Sequence, residues 1–143
     1  MSMHRRSLFV IPLLLAALAG CGSNPAAPPR LEGGVLATFD VLDEVFRVWT
    51  DDGEAIDQLF ALRSGTSPAT IPTGRLLPGP GRGDHNEPWS WHLDPDDFEI
   101  VELTIELCDG RPSSVEESLD YWIDTVERFC PWAAELAELE DYR

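Results

Sequence analysis

The chain is 143 residues long and 43% hydrophobic, and its 10 basic residues against 26 acidic ones give a formal net charge of −16. That length suits one domain, and the charge disfavours nucleic acid, whose phosphates are held by basic patches. All ten basic residues are Arg, so lysine chemistry such as a Schiff base or a P-loop is excluded.

Arg5 and Arg6 precede an apolar run at 7–19. The run is shorter than the roughly 20 residues a permanent membrane helix needs. It reads as a removable export signal over residues 1–20. Leu18-Ala19-Gly20-Cys21 places small residues before a Cys. This is the bacterial lipobox pattern, so Cys21 is expected to be lipidated and to become the first mature residue. The competing reading is an ordinary secretory signal. The expected location is the cell envelope, lipid-anchored on the extracytoplasmic side, because acyl chains hold a protein to a membrane through buried methylenes. Gly22 rather than Asp after the Cys leans to an outer membrane where there is one. Without residues 1–20, 8 Arg face 26 acids, a charge of −18. Lipidation of Cys21 leaves Cys108 and Cys130, which outside the cytoplasm are expected to pair as a disulfide. Two buried free thiols are the alternative.

Residues 21–33 are Pro-rich and read as a tether; residues 34–143 read as a single α+β domain. Val35, Ala37, Phe39 and Val41 alternate, and residues 45–50 are β-branched and aromatic, predicting a hairpin. Asp51 and Asp52 offer an N-cap, Ala55, Ile56, Leu59 and Phe60 a helical stripe, and Gly65 a stop. A third strand is predicted over 71–77, with Pro72 suggesting an edge. Residues 78–88 form a Gly/Pro-rich loop with few apolar side chains to bury. It is expected to be mobile, and its tip at 82–87 replaceable by a Gly/Ser run without loss of the fold. Trp89, Trp91 and Leu93 share one strand face. Val101, Leu103, Ile105 and Leu107 alternate with polar residues, the cleanest half-buried strand pattern in the chain. Ser114 with Glu117 makes a capping box for a second helix, whose stripe runs Val115, Leu119, Trp122, Ile123, Val126 and Phe129. The expected architecture is an antiparallel sheet of about five strands with two helices packed on one face.

The segments PWSWHLDP at 88–95, VELTIELCDGRPSSVEE at 101–117 and FCPW at 129–132 together resemble a family of small exported bacterial domains. That family is named after the N-terminal domain of a slime-mould calmodulin-binding protein. The resemblance implies a domain whose pattern contains Pro88, Trp89, His92, Asp94, Pro95, Cys108, Cys130 and Trp132. It implies no catalytic role, and calmodulin itself is absent from bacteria.

The densest polar constellation is Asp84, His85, Asn86 and Glu87, followed by His92 and Asp94. Its oxygen and nitrogen donors suit a divalent metal held by Asp84, His85, Glu87, His92 and Asp94. No cofactor is predicted, since the spacing matches no metal motif, and a solvated acidic loop is the competing reading. Asp94, Asp96 and Asp97 begin like a calcium loop, but Phe98 and Glu99 stand where a ligand and a Gly are needed. His92 with Asp94 is the candidate for general-base catalysis; the bland alternative is a His bonded to a neighbouring strand. No catalytic residue is assigned, and no nucleophile elbow, CxxC or phosphate loop is present.

Two functions follow. The first is a surface interaction module, inhibitor-like, binding another envelope or extracellular protein. It would use Arg82, Asp84, His85 and Glu87 of the loop with Trp89 and Trp91 behind it. The second is a metal- or His-dependent envelope enzyme built on His92 and Asp94. Membrane contact is expected through the N-terminal lipid alone.

Overall fold

The computed structural model describes residues 30–143. The export signal, Cys21 and residues 21–29 of the tether lie outside the described residues. Among the described residues no helix is long and apolar enough to cross a membrane.

The first hairpin joins β1 (Val35–Val41) to β2 (Glu44–Thr50), in register from Val35↔Thr50 to Val41↔Glu44. Val35, Ala37, Phe39 and Val41 are buried on one face, as the alternation requires. Helix α1 (Gly53–Ser64) starts at Asp52, whose Oδ1 accepts the Ala55 N–H at 2.9 Å. It ends at Gly65 in the left-handed region, φ 71°, with Ala55, Ile56 and Leu59 buried.

Strand β3 (Ile71–Pro78) is not an edge: it pairs with β4 (Trp91–Leu93), β5 (Glu99–Val101) and β6 (Arg128–Phe129). Pro72 is tolerated for a local reason. Its partner Ile100 turns its N–H away to Gln58 Oε1, at 2.8 Å. The pair therefore exchanges no backbone hydrogen bonds, and the missing Pro N–H costs none. Strand β7 (Ala134–Asp141) pairs with the free side of β1. The architecture is α+β with two antiparallel sheets, β2-β1-β7 and a four-stranded one around β3. This corrects the expectation of one five-stranded sheet.

One aromatic core joins the sheets. Phe39 stacks on Phe46 at 5.4 Å, and Phe46 and Trp91 meet the Phe129 ring at 5.4 and 5.2 Å. Such edge-on and offset pairs add about 0.5–1.5 kcal/mol each beyond area burial. Helix α1 lies against β5 of one sheet and β7 of the other rather than on one face.

Two further expectations are corrected. The strand predicted through Leu107 stops at Val101, and it is Phe98 and Ile100, of opposite parity, that are buried. The second helix is broken. Helix α2 (Pro112–Glu117) opens with Pro at its first turn, and its N-cap residue, Arg111, makes no side-chain cap. Ser114 is thus not a capping residue. Instead the Ser113 N–H and Oγ bond the Glu44 carboxylate at 2.8 and 2.6 Å. A single turn (Leu119–Tyr121) and a π turn (Trp122–Val126) follow, until Glu127, φ 66°, reverses the chain into β6. Phe129 is buried from that strand, not from a helix.

Candidate functional site

The loop between β3 and β4 is tied inward along its length. Asn86 is fully buried: its Oδ1 accepts the Arg47 N–H at 2.7 Å, and its Nδ2 donates to Trp91 O at 2.7 Å. One amide thus clips β2 to β4. The Asn86 N–H returns to Pro80 O at 2.9 Å, and Gly79 N–H reaches Ser90 O at 2.7 Å. Arg82 lies over the Trp49 ring, 4.6 Å from its centroid. A loop bonded in this way is not a tip that a Gly/Ser run replaces freely.

His85 is buried and donates Nδ1–H to Arg82 O at 2.9 Å, while its Nε2 has no partner. Gly81 fits against the ring because it lacks a side chain: a Cβ there would collide with His85 Cε1. Burial pushes the His85 pKa down, so the ring is held neutral. His92 lies beside it, ring centroids 6.0 Å apart, and donates Nδ1–H to Gly79 O at 2.8 Å.

Asp94 is engaged elsewhere. Its carboxylate pairs with the Arg75 guanidinium and accepts the Asp96 N–H at 3.1 Å. The Arg75 hydrogen bond holds its carboxyl below the usual range, against the opposing effect of burial. Asp84 and Glu87 do not join the two imidazoles: among the described residues no three His, Cys, Asp or Glu side chains are grouped to hold a metal ion. Trp91 is wholly buried. Trp89 is half-buried, stacked 6.4 Å from it, with Nε1–H on Val45 O at 2.7 Å.

A different surface is left uncovered. Leu103, Ile105 and Leu107 are 87%, 68% and 56% exposed, beside a half-exposed Trp132. They flank a groove of about 220 Å³ floored by Thr73, Val101, Val126 and Cys108. Exposed apolar residues in one patch, unlike scattered ones, mark interaction surfaces.

The patch is presented rigidly. The Cys108–Cys130 disulfide joins its end to β6, with Cα atoms 5.1 Å apart, and Cys130 N–H bonds Cys108 O at 2.8 Å. Both sulfurs lie about 3.5 Å from the Ile105 carbonyl oxygen. These are packing contacts, since disulfide sulfurs carry no proton to donate. Trp132 donates Nε1–H to Thr104 Oγ1 at 2.6 Å and its N–H to Asp109 Oδ1 at 2.8 Å. Thr70 N–H holds Val101 O at 3.2 Å.

The backbone between these anchors is unsatisfied: among the described residues, no main-chain hydrogen bond involves Glu102, Leu103 or Thr104. The charges on the segment are acidic, with Glu99, Glu102 and Glu106 all exposed. The nearest cation, Arg128, is already paired with Asp97 Oδ2 at 2.7 Å. Sequence reasoning missed this surface because its alternation is the same signal that marks a half-buried strand.

The family model for the N-terminal domain of the slime-mould calmodulin-binding protein matches residues 34–142. No curated protein and no solved structure matches the chain.

Proposed function

The chain belongs, over residues 34–142, to the family named for that N-terminal domain, and on that premise we propose that it is a lipid-anchored interaction domain of the cell envelope. The observation that carries this reading is the exposed Leu103–Ile105–Leu107 row, braced by the disulfide and by Trp132. Burying three such side chains against a partner is worth about 1.5–3 kcal/mol each when complete. A chain exported at net charge −16 has little reason to keep that row in water unless something covers it. The docking face is this edge and not the 82–87 loop, whose Asn86 and His85 are turned into the fold. An enzyme built on His92 and Asp94 has less support, because each already serves a structural hydrogen bond.

The anchoring half of the proposal rests on the Leu18–Cys21 motif. Cys21→Ser is expected to abolish metabolic lipid labelling and leave the precursor unprocessed; a lipidated Ser variant overturns it. The docking half is tested with a photo-crosslinking residue placed singly at Leu103, Ile105, Arg82 and Glu87 in living cells. Crosslinks are expected at 103 and 105. Crosslinks confined to 82 and 87 would return the docking face to the loop.

A further inference from the structure

The segment that passes Val101 has the properties of a strand without a partner. Glu102, Leu103 and Thr104 offer free N–H and C=O groups, and their neighbours Val101 and Ile105 are extended, Ile105 at φ −85°, ψ 149°. Resting on the reading of this edge as the docking face, we infer that its occupant is an extended segment of another protein in which apolar and cationic residues alternate, bound along residues 101–105 as an added strand. Three observations choose that chemistry.

The unpaired main chain calls for hydrogen-bonding groups at strand spacing, which an extended peptide supplies whatever its sequence. The apolar floor of Val101, Val126 and Cys108, with Leu103 and Ile105 at its rim, takes every second side chain of such a segment. Glu99, Glu102 and Glu106 stand on the segment with no free cation near them, Arg128 being held by Asp97. Lys or Arg in the alternate positions of the partner would meet them.

The same charges argue against a second copy of this chain. Two antiparallel copies of the segment would bring Glu102 and Glu106 of one against those of the other, and like charges across a strand pair are destabilising. The net charge of −16 adds repulsion at longer range.

The probe is a synthetic nonapeptide alternating Lys with Val and Leu, titrated into the full chain and followed by fluorescence anisotropy. Hydrogen exchange is read over residues 101–107. We expect it to bind at least about tenfold more tightly than the same peptide with Glu for Lys, an advantage reduced by salt. The amides of Leu103 and Thr104 should gain protection. Methylating every second peptide nitrogen should weaken binding by about tenfold or more, since each main-chain hydrogen bond contributes about 0.5–1.5 kcal/mol. Leu103→Asp should abolish binding, and a residue this exposed can be replaced without unfolding the domain.

Equal binding of the acidic peptide, or no binding of the basic one, overturns the chemistry proposed. Unweakened binding of the methylated peptide, with loss in Leu103→Asp, removes strand addition and leaves the docking face standing. Peptide binding that survives Leu103→Asp removes the docking face itself. A dimer in sedimentation that Leu103→Asp dissociates assigns the edge to a second copy and overturns the inference.

Discussion

Asn86 does more for the fold than its neighbours in the polar constellation, and nothing local announces it. Its two amide hydrogen bonds go to Arg47, 39 residues away, and to Trp91. Replacing it leaves a buried N–H and a buried C=O unpaired, each costing about 1–3 kcal/mol. Asn86→Leu is therefore expected to lower unfolding free energy by about 2–4 kcal/mol in urea titrations. A loss below roughly 0.5 kcal/mol, the range of ordinary surface substitutions, would remove Asn86 from that role. For the same reason a Gly/Ser run over 82–87 is expected to weaken the domain, contrary to what the loop's composition suggests.

His85 gives the fold a pH dependence with a definite sign. Burial lowers its pKa below the ordinary value of 6.5, so the unfolded chain binds the proton more readily than the folded one. The contribution of His85 is complete above about 6.5 and is lost as pH falls through the lower folded value. The thermal midpoint should drop between neutral pH and about pH 5, by about 4 °C for each 1 kcal/mol. In His85→Asn, whose amide keeps a donor for Arg82 O, that part of the drop should disappear. An identical pH dependence in wild type and variant would refute the assignment. The carboxyl of Asp94, lowered by Arg75, acts only further down: its contribution is present above the unfolded carboxylate range and fades as pH falls through the folded value.

Two segments show how a pattern can mislead about an element. Residues 101–107 alternate as a half-buried strand does, yet beyond Val101 the partner strand has ended: Ile71 pairs with Val101, and Thr70 gives the last bond. Alternation records which side chains share a face, not whether anything covers that face. The segment AELAELED is its converse. Ala, Glu and Leu favour helix, and no alternation advertised a strand, but these eight residues form β7 because β1 offers an open row of N–H and C=O groups. Pairing satisfies both edges at once and buries Leu139. Its three Glu at 135, 138 and 140 also make the new sheet edge acidic, which discourages edge-to-edge association. Ending the chain after Trp132 would uncover β1. Such a truncation is expected to lose cooperative melting and to elute as aggregate on gel filtration. A monomer with wild-type melting would show β7 to be dispensable.

The second helix failed as an element for a related reason. Its apolar stripe is real, since Val115, Trp122 and Val126 are buried, but they reach the core from three short pieces. The break lets Phe129 enter the core beside Trp91 and Phe46, and it brings Cys130 within bonding distance of Cys108.

The whole molecule is two small sheets around one aromatic cluster, with the disulfide closing a separation of 22 residues near the docking face. A loop of that length is worth about 3 kcal/mol in the chain-entropy model. Cys108→Ala/Cys130→Ala should lose about that much in denaturant titration while the β1–β2 hairpin and α1 keep their exchange protection. It should also free Leu103–Leu107 to exchange faster, so peptide affinity should fall along with stability. Unchanged affinity in the double variant would mean that the disulfide stabilises the fold without positioning the docking edge.

What the amino-acid sequence determined by itself is what depends on near neighbours. The β1–β2 hairpin follows from alternation on both sides of a short turn, and α1 from Asp52 at one end and Gly65 at the other. The Cys108–Cys130 pair follows from the thiols that an exported chain with Cys21 lipidated would leave over. The tertiary structure alone decided the rest: that AELAELED is a strand, that Asn86 is buried, that Asp94 is committed to Arg75, and that Leu103, Ile105 and Leu107 face water. In each of those cases a partner distant in the chain supplies or withholds the hydrogen bonds and the apolar cover. The free energy of such an arrangement depends on that partner, and local sequence carries no record of it.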